Sequence, residues 1–382
     1  MIYLAYRNLF QNKTRLAVSV GGVGLALLLI LALDAIFTGV ERQLTAYIDN
    51  SQADVFVAQS GVRNLHMASS SLPVQVIPQV EALPGVASVT PILYLSNMVV
   101  MGSERNLAYV IGVPPDAKVG TAWNVPLGKK IPGEGETIVD RILAEKSGIG
   151  IGGTVQILGR DFRVAGLSDG TTSLVNSLAF ISLADFDALR GGPKTGAGLA
   201  ANSPSPTISF LLVQVRPGVS SQQLAARIEA QVPGVTAQTR QDFASQERQV
   251  VQDMSTDVVT IMNLVGFMIG LAVLALSVYT ATLARRKEFG VLKALGARNL
   301  NLYGSVLAQA ILSVALGLGI GLVFTLLLSA LLPRLGLSLF LEVSLPSLAK
   351  AGGVSLLIAG LSALLPVRQI AGLDPAAVFR GR

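Results

Sequence analysis

Four long apolar segments constrain this chain more than any other feature of its sequence. Crossing a hydrocarbon core of about 30 Å takes about 20 helical residues. Residues 16–37, 258–284, 305–332 and 349–367 are long and apolar enough to do so. One acidic residue, Asp34, lies near the end of the first segment. The pattern predicts a membrane protein with one span, a large intervening domain and then three spans.

Composition narrows the chemistry that this chain can perform. Charged residues make up 14 % of it, against about 25 % in an ordinary soluble domain. It has no cysteine, which excludes disulfides, thiolate metal sites and cysteine nucleophiles. The chain has a single histidine, His66, so a metal site made of several histidines cannot form and a Ser-His-Asp catalytic triad has little support. We therefore expect neither a catalytic nor a metal site.

The distribution of charge predicts an orientation in the membrane. Residues 38–257 hold 16 basic and 19 acidic side chains, whereas the rest of the chain holds 13 and 4. A nucleic-acid binder would place its basic face on the soluble domain, so we expect no nucleic-acid partner. By the positive-inside rule, residues 1–15, 285–300 and 368–382 are cytoplasmic. Residues 38–257 and 333–350 then lie outside.

Helical periodicity continues past the first span and begins again before the second. Val40, Leu44 and Ile48 extend the first pattern to about residue 50, and Phe243 and Val250 recur at the same spacing within residues 241–257. The sequence predicts two helices that continue beyond the membrane as a stalk. The alternative is a pair of flexible linkers, but such linkers are usually rich in Gly, Pro or Ser.

The intervening residues 51–240 predict an extracytoplasmic α+β domain. A helix over residues 74–83 and another over 220–232 are each followed by Pro-Gly-Val and a strand. These two units are expected to form halves of one lobe. Between them, residues 116–206 predict a β-rich insert, whose end at 191–206 is rich in Gly, Ser and Pro.

Three further features have two interpretations each. Gly266 with Gly270, and Gly317 with Gly321, have the spacing that lets membrane helices approach closely. Gly21, Gly22 and Gly24 do the same in the first span. They indicate either packing within one chain or a dimer seam. His66 and Met67 could each ligate haem iron, but adjacent residues cannot reach opposite faces of one iron, so a surface loop is favoured.

Residues 286–297, Arg-Lys-Glu-Phe-Gly-Val-Leu-Lys-Ala-Leu-Gly-Ala, resemble a signature of the FtsX/MacB/LolC-type permeases of ABC transporters. Residues 4–16 are similar to the basic amphipathic helix that precedes the first span in that family, and residues 366–378 to its ending. The opening Asn12–Arg15 and residues 53–55 resemble its DevC and HrtB branch. The resemblance covers nearly the whole chain and implies four spans, one plus three.

The resemblance also implies a coupling helix that contacts a cytoplasmic ABC ATPase. Its residues would be Arg286, Lys287, Glu288, Phe289, Gly290, Val291, Leu292, Lys293, Ala294 and Gly296. From the residues alone, Val291, Leu292 and Leu295 supply an apolar face, and Gly290 and Gly296 bound the segment. A simple interhelical turn is the alternative. Glu288 is expected to meet a basic residue of the partner or to cap the helix start.

The chain has no nucleotide site of its own. A Walker A loop needs G-x-x-x-x-G-K-[ST], and Gly128-Lys129-Lys130 lacks the rest. The glycine cluster over residues 148–153 follows a polar helix and predicts a turn. ATP and Mg²⁺ would therefore belong to the partner, and this chain alone is not an enzyme. The resemblance implies two permeases with two ATPases in a bacterial cytoplasmic membrane, with a further extracytoplasmic partner left open.

The function that these features imply is export or extraction of an amphipathic or hydrophobic substrate, driven outward by mechanotransmission. Haem, glycolipid, lipoprotein, lipopeptide and macrolide remain alternatives. A carboxylate within a span usually faces a cavity or a partner, so Asp34 is expected either to line a substrate path or to reach headgroup water. The other path residues would be Phe37, Met254, Asp257 and Met262. A mechanical regulator of a cell-wall hydrolase and a peptide sensor are the competing functions.

Overall fold

The computed structural model describes residues 13–102, 104–173, 176–190, 206–332 and 341–371. It divides into a membrane unit, Met1–Gly39 with Ser255–Arg382, and an α+β unit, Val40–Met254. The predicted N-terminal helix up to residue 12, the segment 191–205, residues 333–340 of the predicted outer loop and the tail from 372 lie outside the described residues.

The described residues form nine helices and thirteen strands. The helices are α1 Lys13–Asn50, α2 Val76–Glu81, α3 Arg141–Lys146, α4 Leu183–Arg190, α5 Ser221–Gln231, α6 Arg240–Ala284, α7 Arg286–Ala294, α8 Asn299–Leu331 and α9 Leu345–Ala371. The strands are β1 Val55–Gln59, β2 Leu72–Pro73, β3 Val86–Met101, β4 Glu104–Val113, β5 Leu127–Gly128, β6 Glu136–Asp140, β7 Thr154–Ile157, β8 Arg160–Ser168, β9 Thr172–Ser173, β10 Asn176–Ser182, β11 Thr207–Ile208, β12 Phe210–Val215 and β13 Val235–Thr239.

Helices α1, α6, α8 and α9 are each long and apolar enough to cross a membrane. The predicted arrangement of one span, a large domain and three further spans is therefore confirmed. The fourth helix begins at Leu345, a turn before the predicted boundary. Within the membrane unit, one apolar core joins residues of all four helices and α7.

Helix α1 packs against α8 at glycines. A methyl group added at Gly317 would lie 3.1 Å from the backbone nitrogen of Gly24, and one added at Gly321 would lie 3.1 Å from the Gly24 carbonyl oxygen. Such approaches are closer than nine in ten real Cβ contacts. The two glycines of α8 thus form a groove that takes the backbone of α1.

A second pair of glycines brings α6 against the same helix. A methyl group at Gly270 would lie 3.2 Å from the Ala26 side chain, and one at Gly266 would lie 3.4 Å from the Ala26 carbonyl oxygen. Gly22 likewise faces Val273 of α6, whereas nothing lies within 4 Å of Gly21. Both spaced glycine pairs therefore serve packing within one chain.

The α+β unit is built on one 11-stranded sheet with the path β13-β1-β12-β3-β4-β10-β6-β8-β5, to which β7 and β9 add. The first four strands are antiparallel, with the order of a ferredoxin-like split βαβ fold. Helices α2 and α5 share one apolar core with them. The two predicted helix–Pro-Gly-Val–strand units thus form halves of one lobe.

The boundary of the β-rich insert differs from the prediction of residues 116–206. Strand β3 is 16 residues long, and its second half, with β4, belongs to the core of that insert. The sequence did not predict one continuous strand here, because β3 contains Pro91 and proline usually ends a strand. Pro91 pairs with Leu211 of β12, whereas the pairing of β3 with β4 begins only at Leu93. One side of β3 is therefore open there, where a residue without an N–H is tolerated.

Helices α1 and α6 each enter the α+β unit without a break. Helix α1 has 38 residues and α6 has 45, so residues 38–50 and 241–257 are helical rather than linkers. The Phe56 and Phe243 rings stack with their centroids 4.8 Å apart, which fixes the start of α6 to β1. Arg248 of α6 lies 3.1 Å from Thr45 Oγ1 of α1 and 3.8 Å from Asp49.

Candidate functional site

Helix α7 follows α6 after one residue. It begins at Arg286, and Glu288 lies in its first turn. A carboxylate there is stabilised by the helix dipole by about 0.3–1 kcal/mol. Its side chain is exposed and lies 3.9 Å from the Arg285 guanidinium, so it remains accessible.

The end of α7 is a Schellman motif. The Ala297 N–H donates to the Leu292 carbonyl at 3.0 Å, and the Gly296 N–H donates to the Lys293 carbonyl at 3.1 Å. Gly296 has φ +88°, a conformation that glycine adopts at no steric cost. The predicted boundary at Gly290 is wrong, because Gly290 is buried inside the helix beside Phe289.

The two faces of α7 differ in burial. Phe289 is 8 % exposed and belongs to the apolar core of the membrane unit. Leu295, by contrast, is 79 % exposed, and Val291 and Leu292 are also exposed. Of the other predicted coupling residues, Gly290 is buried and Lys293 is half-buried. The exposed ones are Arg286, Lys287, Glu288, Ala294 and Gly296. Phe289 thus anchors α7 in the apolar core, whereas Val291, Leu292 and Leu295 of the same helix are exposed.

Asp34 has a partner that sequence reasoning missed. The Lys350 ammonium of α9 donates to Asp34 Oδ1 at 2.9 Å. Nearby, the Glu342 N–H donates to the Ala35 carbonyl at 3.0 Å. The sequence did contain a signal for this ion pair, because Lys350 is the one basic residue within 349–367 and Asp34 is the one acidic residue within 16–37. Opposite charges within spans usually pair with one another.

The other predicted path residues lie on α1 and α6. Phe37 is half-buried on α1, whereas Met254, Asp257 and Met262 are exposed on α6. Among the described residues, the hydrogen bond of Asp34 goes to Lys350, and no polar contact joins it to Asp257. The structure therefore pairs the first span with the fourth through Asp34 and leaves these α6 side chains open.

His66 belongs to a loop with exposed residues, as predicted, but its imidazole ring points inward. Its side chain and that of Glu247 are each 1 % exposed, with Nδ1 of His66 2.7 Å from Oε1 of Glu247. The other oxygen of Glu247 accepts the Leu65 N–H. Met67, the neighbouring residue, is exposed as expected. Sequence reasoning could not see this pairing, because 181 positions separate its two side chains.

Two tyrosines complete the surroundings of His66. The His66 ring meets the edges or faces of Tyr109 at 4.7 Å and Tyr94 at 5.8 Å between centroids. Burial, with a smaller contribution from the Glu247 carboxylate, raises the pKa of both phenols. They stay neutral at physiological pH and form aromatic walls beside His66.

Comparison with known proteins matches two family models to this chain. A MacB-like periplasmic core domain matches residues 16–231, and an FtsX-like permease C-terminal domain matches residues 260–375. A protein of Mycobacterium tuberculosis described as an uncharacterised ABC transporter permease is 24 % identical over 391 residues, covering 100 % of both chains. A second such protein of that organism is 22 % identical over 383 residues, again covering 100 % of both.

Two solved structures are similar to part of the chain. The periplasmic region of MacB from Actinobacillus actinomycetemcomitans is 15 % identical and covers 53 % of this chain and 94 % of its own, with a TM-score of 0.37. The extracellular domain of the transporter YknZ from Gram-positive bacteria is 16 % identical, covering 49 % and 98 %, with a TM-score of 0.36.

The family follows from the extent of these matches and from the architecture. The first family model alone covers more than half of the chain, and the second covers the three later spans. Both fall where the structure places a large α+β unit between the first membrane helix and the other three. The chain belongs to the MacB/FtsX-type family of ABC transporter permeases.

Proposed function

We propose that this permease is the membrane subunit of an export or extraction complex driven by a separate cytoplasmic ABC ATPase. ATP and Mg²⁺ bind that partner, and the substrate is amphipathic or hydrophobic, in the class of haem, glycolipids, lipoproteins, lipopeptides or macrolides. The observation that carries the proposal is the open apolar face of α7, where Leu295 is exposed beside Val291 and Leu292.

The form of α7 supports a docking role. An amphipathic helix that lays its apolar face into a groove is a recurring mode of protein recognition. Here Phe289 holds the helix against its own core, and the Schellman motif at Gly296 fixes its end. The docking face is therefore preformed, which lowers the entropic cost of binding. Exposed Arg286, Lys287 and Glu288 supply charges at its edge.

Continuous helices support outward transmission of movement. At 1.5 Å per residue, the 45 residues of α6 span about 68 Å, and its last residue is separated from α7 by Arg285 alone. A push on α7 therefore acts on the end of one long helix whose other end carries Phe243 and Glu247 in the α+β unit. Transport by mechanotransmission needs a helix that continues from the membrane into the outer domain.

The remaining elements of the proposal concern location and assembly. The charge distribution supports cytoplasmic termini in a bacterial cytoplasmic membrane. The substrate path would be bordered by Phe37 of α1 and by Met254, Asp257 and Met262 of α6. Asp34 would influence this path through its ion pair with Lys350. A two-fold dimer with two ATPases is the natural closed assembly. Membership of the DevC and HrtB branch and the presence of an extracytoplasmic partner remain predictions.

The test is ATP hydrolysis by the reconstituted complex of permease and ATPase in lipid vesicles. We expect amphipathic candidate substrates to stimulate hydrolysis and to be released on the side of the α+β unit. Leu295→Asp should abolish the stimulation, whereas Leu127→Asp, at an exposed leucine of β5, should leave it intact. Retention of a cell-wall hydrolase on the α+β unit, without stimulated hydrolysis or substrate release, would contradict export.

A further inference from the structure

The sheet of the α+β unit ends on one side in a strand with a single neighbouring strand. Its path runs from β13 to β5. Strand β5 has two residues, and such short edge strands resist pairing with other chains. Strand β13 has five residues, Val235–Thr239, which span about 17 Å. Among the described residues it pairs with β1 alone, so its outer edge is long enough for another strand.

The hydrogen bonds around β13 show which of its backbone groups point outward. The Arg240 N–H donates to the Asp54 carbonyl. The Ser60 N–H donates to the Gly234 carbonyl. Even-numbered residues of this segment therefore face β1, and in an antiparallel pair the direction alternates along the strand. Ala237 thus points its N–H and carbonyl away from β1, where such groups are a template for an added strand.

The carboxylate of Glu229 takes the place that a neighbouring strand would have at this edge. Its Oε1 accepts the outward N–H of Ala237 at 2.9 Å, as a carbonyl of an added strand would. Glu229 lies on α5 and is exposed, so its side chain can turn away from the edge. It satisfies the N–H in the protein alone, and once a strand displaces it, its carboxylate is available to a basic group.

A cleft of about 320 Å³ runs along this edge of β13. One wall is the face of α5 with Gln222, Ala225 and Ala226, whose spacing places them on one side of the helix. The other wall is the start of α6, with Asp242 and Ser245. Two of the three α5 residues are alanines, so there is room beside the strand. The cleft has the position and the small side chains that an added strand needs.

A second cleft lengthens the first. Its volume is about 290 Å³, and it shares Gln222, Thr239 and Asp242 with the first cleft. It is also lined by Arg240 and Asp54. The two clefts together form a groove beside β13 that continues to the first turns of α5 and α6.

The lining of this groove indicates what kind of segment it takes. Three acids line it, Asp54, Glu229 and Asp242, against one base, Arg240. Gln238 adds an acceptor, since its Oε1 is enclosed and has no hydrogen-bond partner among the described residues. Buried polar atoms are nearly always hydrogen-bonded, so this oxygen is suited to a donor from an occupant. A segment with a lysine or arginine side chain complements both the charge and the acceptor.

We propose that this groove docks an extended segment of a partner protein outside the membrane, which adds to β13 as a further strand and places a lysine or arginine side chain against Glu229. Backbone hydrogen bonds to the outward groups of Ala237 supply affinity, and the acidic lining selects the basic side chain. The proposal goes beyond the proposed function, because docking at this edge requires neither ATP nor the ATPase.

The test uses the full permease in lipid nanodiscs and a displayed library of random heptapeptides as the probe. Peptides that bind are sequenced, and the affinity of the tightest one is measured for each variant. Ala226→Phe fills the groove from α5 without changing β13. Its matched control is Gln223→Phe, at an exposed position of the same helix outside the cleft. Glu229→Gln keeps an acceptor for the Ala237 N–H and removes the charge.

We expect the selected peptides to lack proline, to favour β-branched residues and to share one lysine or arginine. Ala226→Phe should weaken binding at least about ten-fold and Glu229→Gln about five-fold, whereas Gln223→Phe should leave it unchanged. Bound peptide should also slow amide hydrogen exchange within Val235–Thr239, measured by mass spectrometry, because the hydrogen bonds of an added strand protect the backbone.

Four results would overturn the docking site. The first is a library without any peptide whose binding depends on Ala226 and Glu229. The second is a bound peptide that leaves exchange within β13 unchanged, which would place it elsewhere. The third is a permease dimer that Ala226→Phe converts to a monomer, which would assign the groove to a second copy. The fourth is a peptide that stimulates ATP hydrolysis by the reconstituted complex and is released from it, which would make the segment a substrate.

Discussion

The membrane unit and the α+β unit are held together in different ways. In the membrane unit, helix α1 meets α6 and α8 at Ala26, Gly24 and the spaced glycines, where backbones approach directly. In the α+β unit, apolar cores lie on the sheet faces, and buried carboxylates tie separate segments together. Asp140, Asp185 and Glu247 each accept at least two hydrogen bonds there.

This difference follows from the two solvents. Lipid tails are as apolar as leucine, so membrane helices gain little by burying apolar surface and associate where small residues allow close packing. In water, burial of apolar side chains drives folding, and a few polar networks can then fix the positions of loops. The membrane unit should therefore be most sensitive to added atoms, and the α+β unit to lost partners.

The largest effect is expected from Gly321→Leu. A side chain there meets the Gly24 carbonyl oxygen and the Leu28 backbone nitrogen, which cannot move aside as a flexible side chain can. Overpacking of this kind costs about 1–3 kcal/mol or more. We expect the yield of monodisperse protein in mild detergent to fall several-fold, as measured by size-exclusion chromatography. Gly319→Leu is the control, since nothing lies within 4 Å of Gly319, and an equal yield of both variants would contradict the packing.

A second prediction makes one charge reversal in each unit. Glu288→Lys should reduce coupled ATP hydrolysis about ten-fold without unfolding the permease, because its side chain is exposed and its stabilisation of α7 is small. Glu145→Lys, at an equally exposed helical glutamate of the α+β unit, should leave hydrolysis unchanged. Both are measured in the reconstituted complex. Normal coupling in Glu288→Lys would remove α7 from the docking site.

A third prediction concerns the ion pair of the membrane unit. Asp34→Leu leaves Lys350 without its hydrogen-bond partner. We expect the variant to be well expressed, because Lys350 is partly exposed, but to alter substrate release by a few-fold in a vesicle assay. The exchanged pair Asp34→Lys with Lys350→Asp should restore much of that loss. Unchanged release in Asp34→Leu would show that the pair serves packing alone.

The smallest effect is expected from a buried carboxylate of the α+β unit. Burial is the largest influence on Asp140 and raises its pKa from 3.8, against hydrogen bonds from Thr171 and Ile142 that lower it. The folded state therefore holds this proton at pH values where the unfolded chain has lost it. Stability should fall as the pH rises from about 4 to the raised pKa, with a slope of at most about 1.4 kcal/mol per pH unit.

Asp140→Asn should remove that part of the pH dependence, measured as the melting temperature of the full permease between pH 4 and 7. Asp116→Asn, at an exposed position, serves as the matched control and should keep it. An unchanged slope in Asp140→Asn would mean that the carboxyl group is already ionised throughout this range.

The features that depend on residues close together in the sequence were predicted correctly. The four spans follow from length and hydropathy, the helical character of residues 38–50 from periodicity, and the end of α7 from Gly296. The features that the sequence did not predict depend on residues that lie far apart in the chain. Pairing of Asp34 with Lys350 and of His66 with Glu247 joins positions 316 and 181 residues apart, and the length of β3 depends on which strands flank Pro91.

The central claim is that α7 docks a separate ATPase, and the most direct measurement is a pull-down of the tagged permease from its native membrane in mild detergent, with mass spectrometry of the retained proteins. The account predicts a stoichiometric soluble subunit that carries a Walker A loop, lost from Leu295→Asp and retained by Leu127→Asp. Retention of a secreted hydrolase or another membrane protein, with no such ATPase, would contradict it.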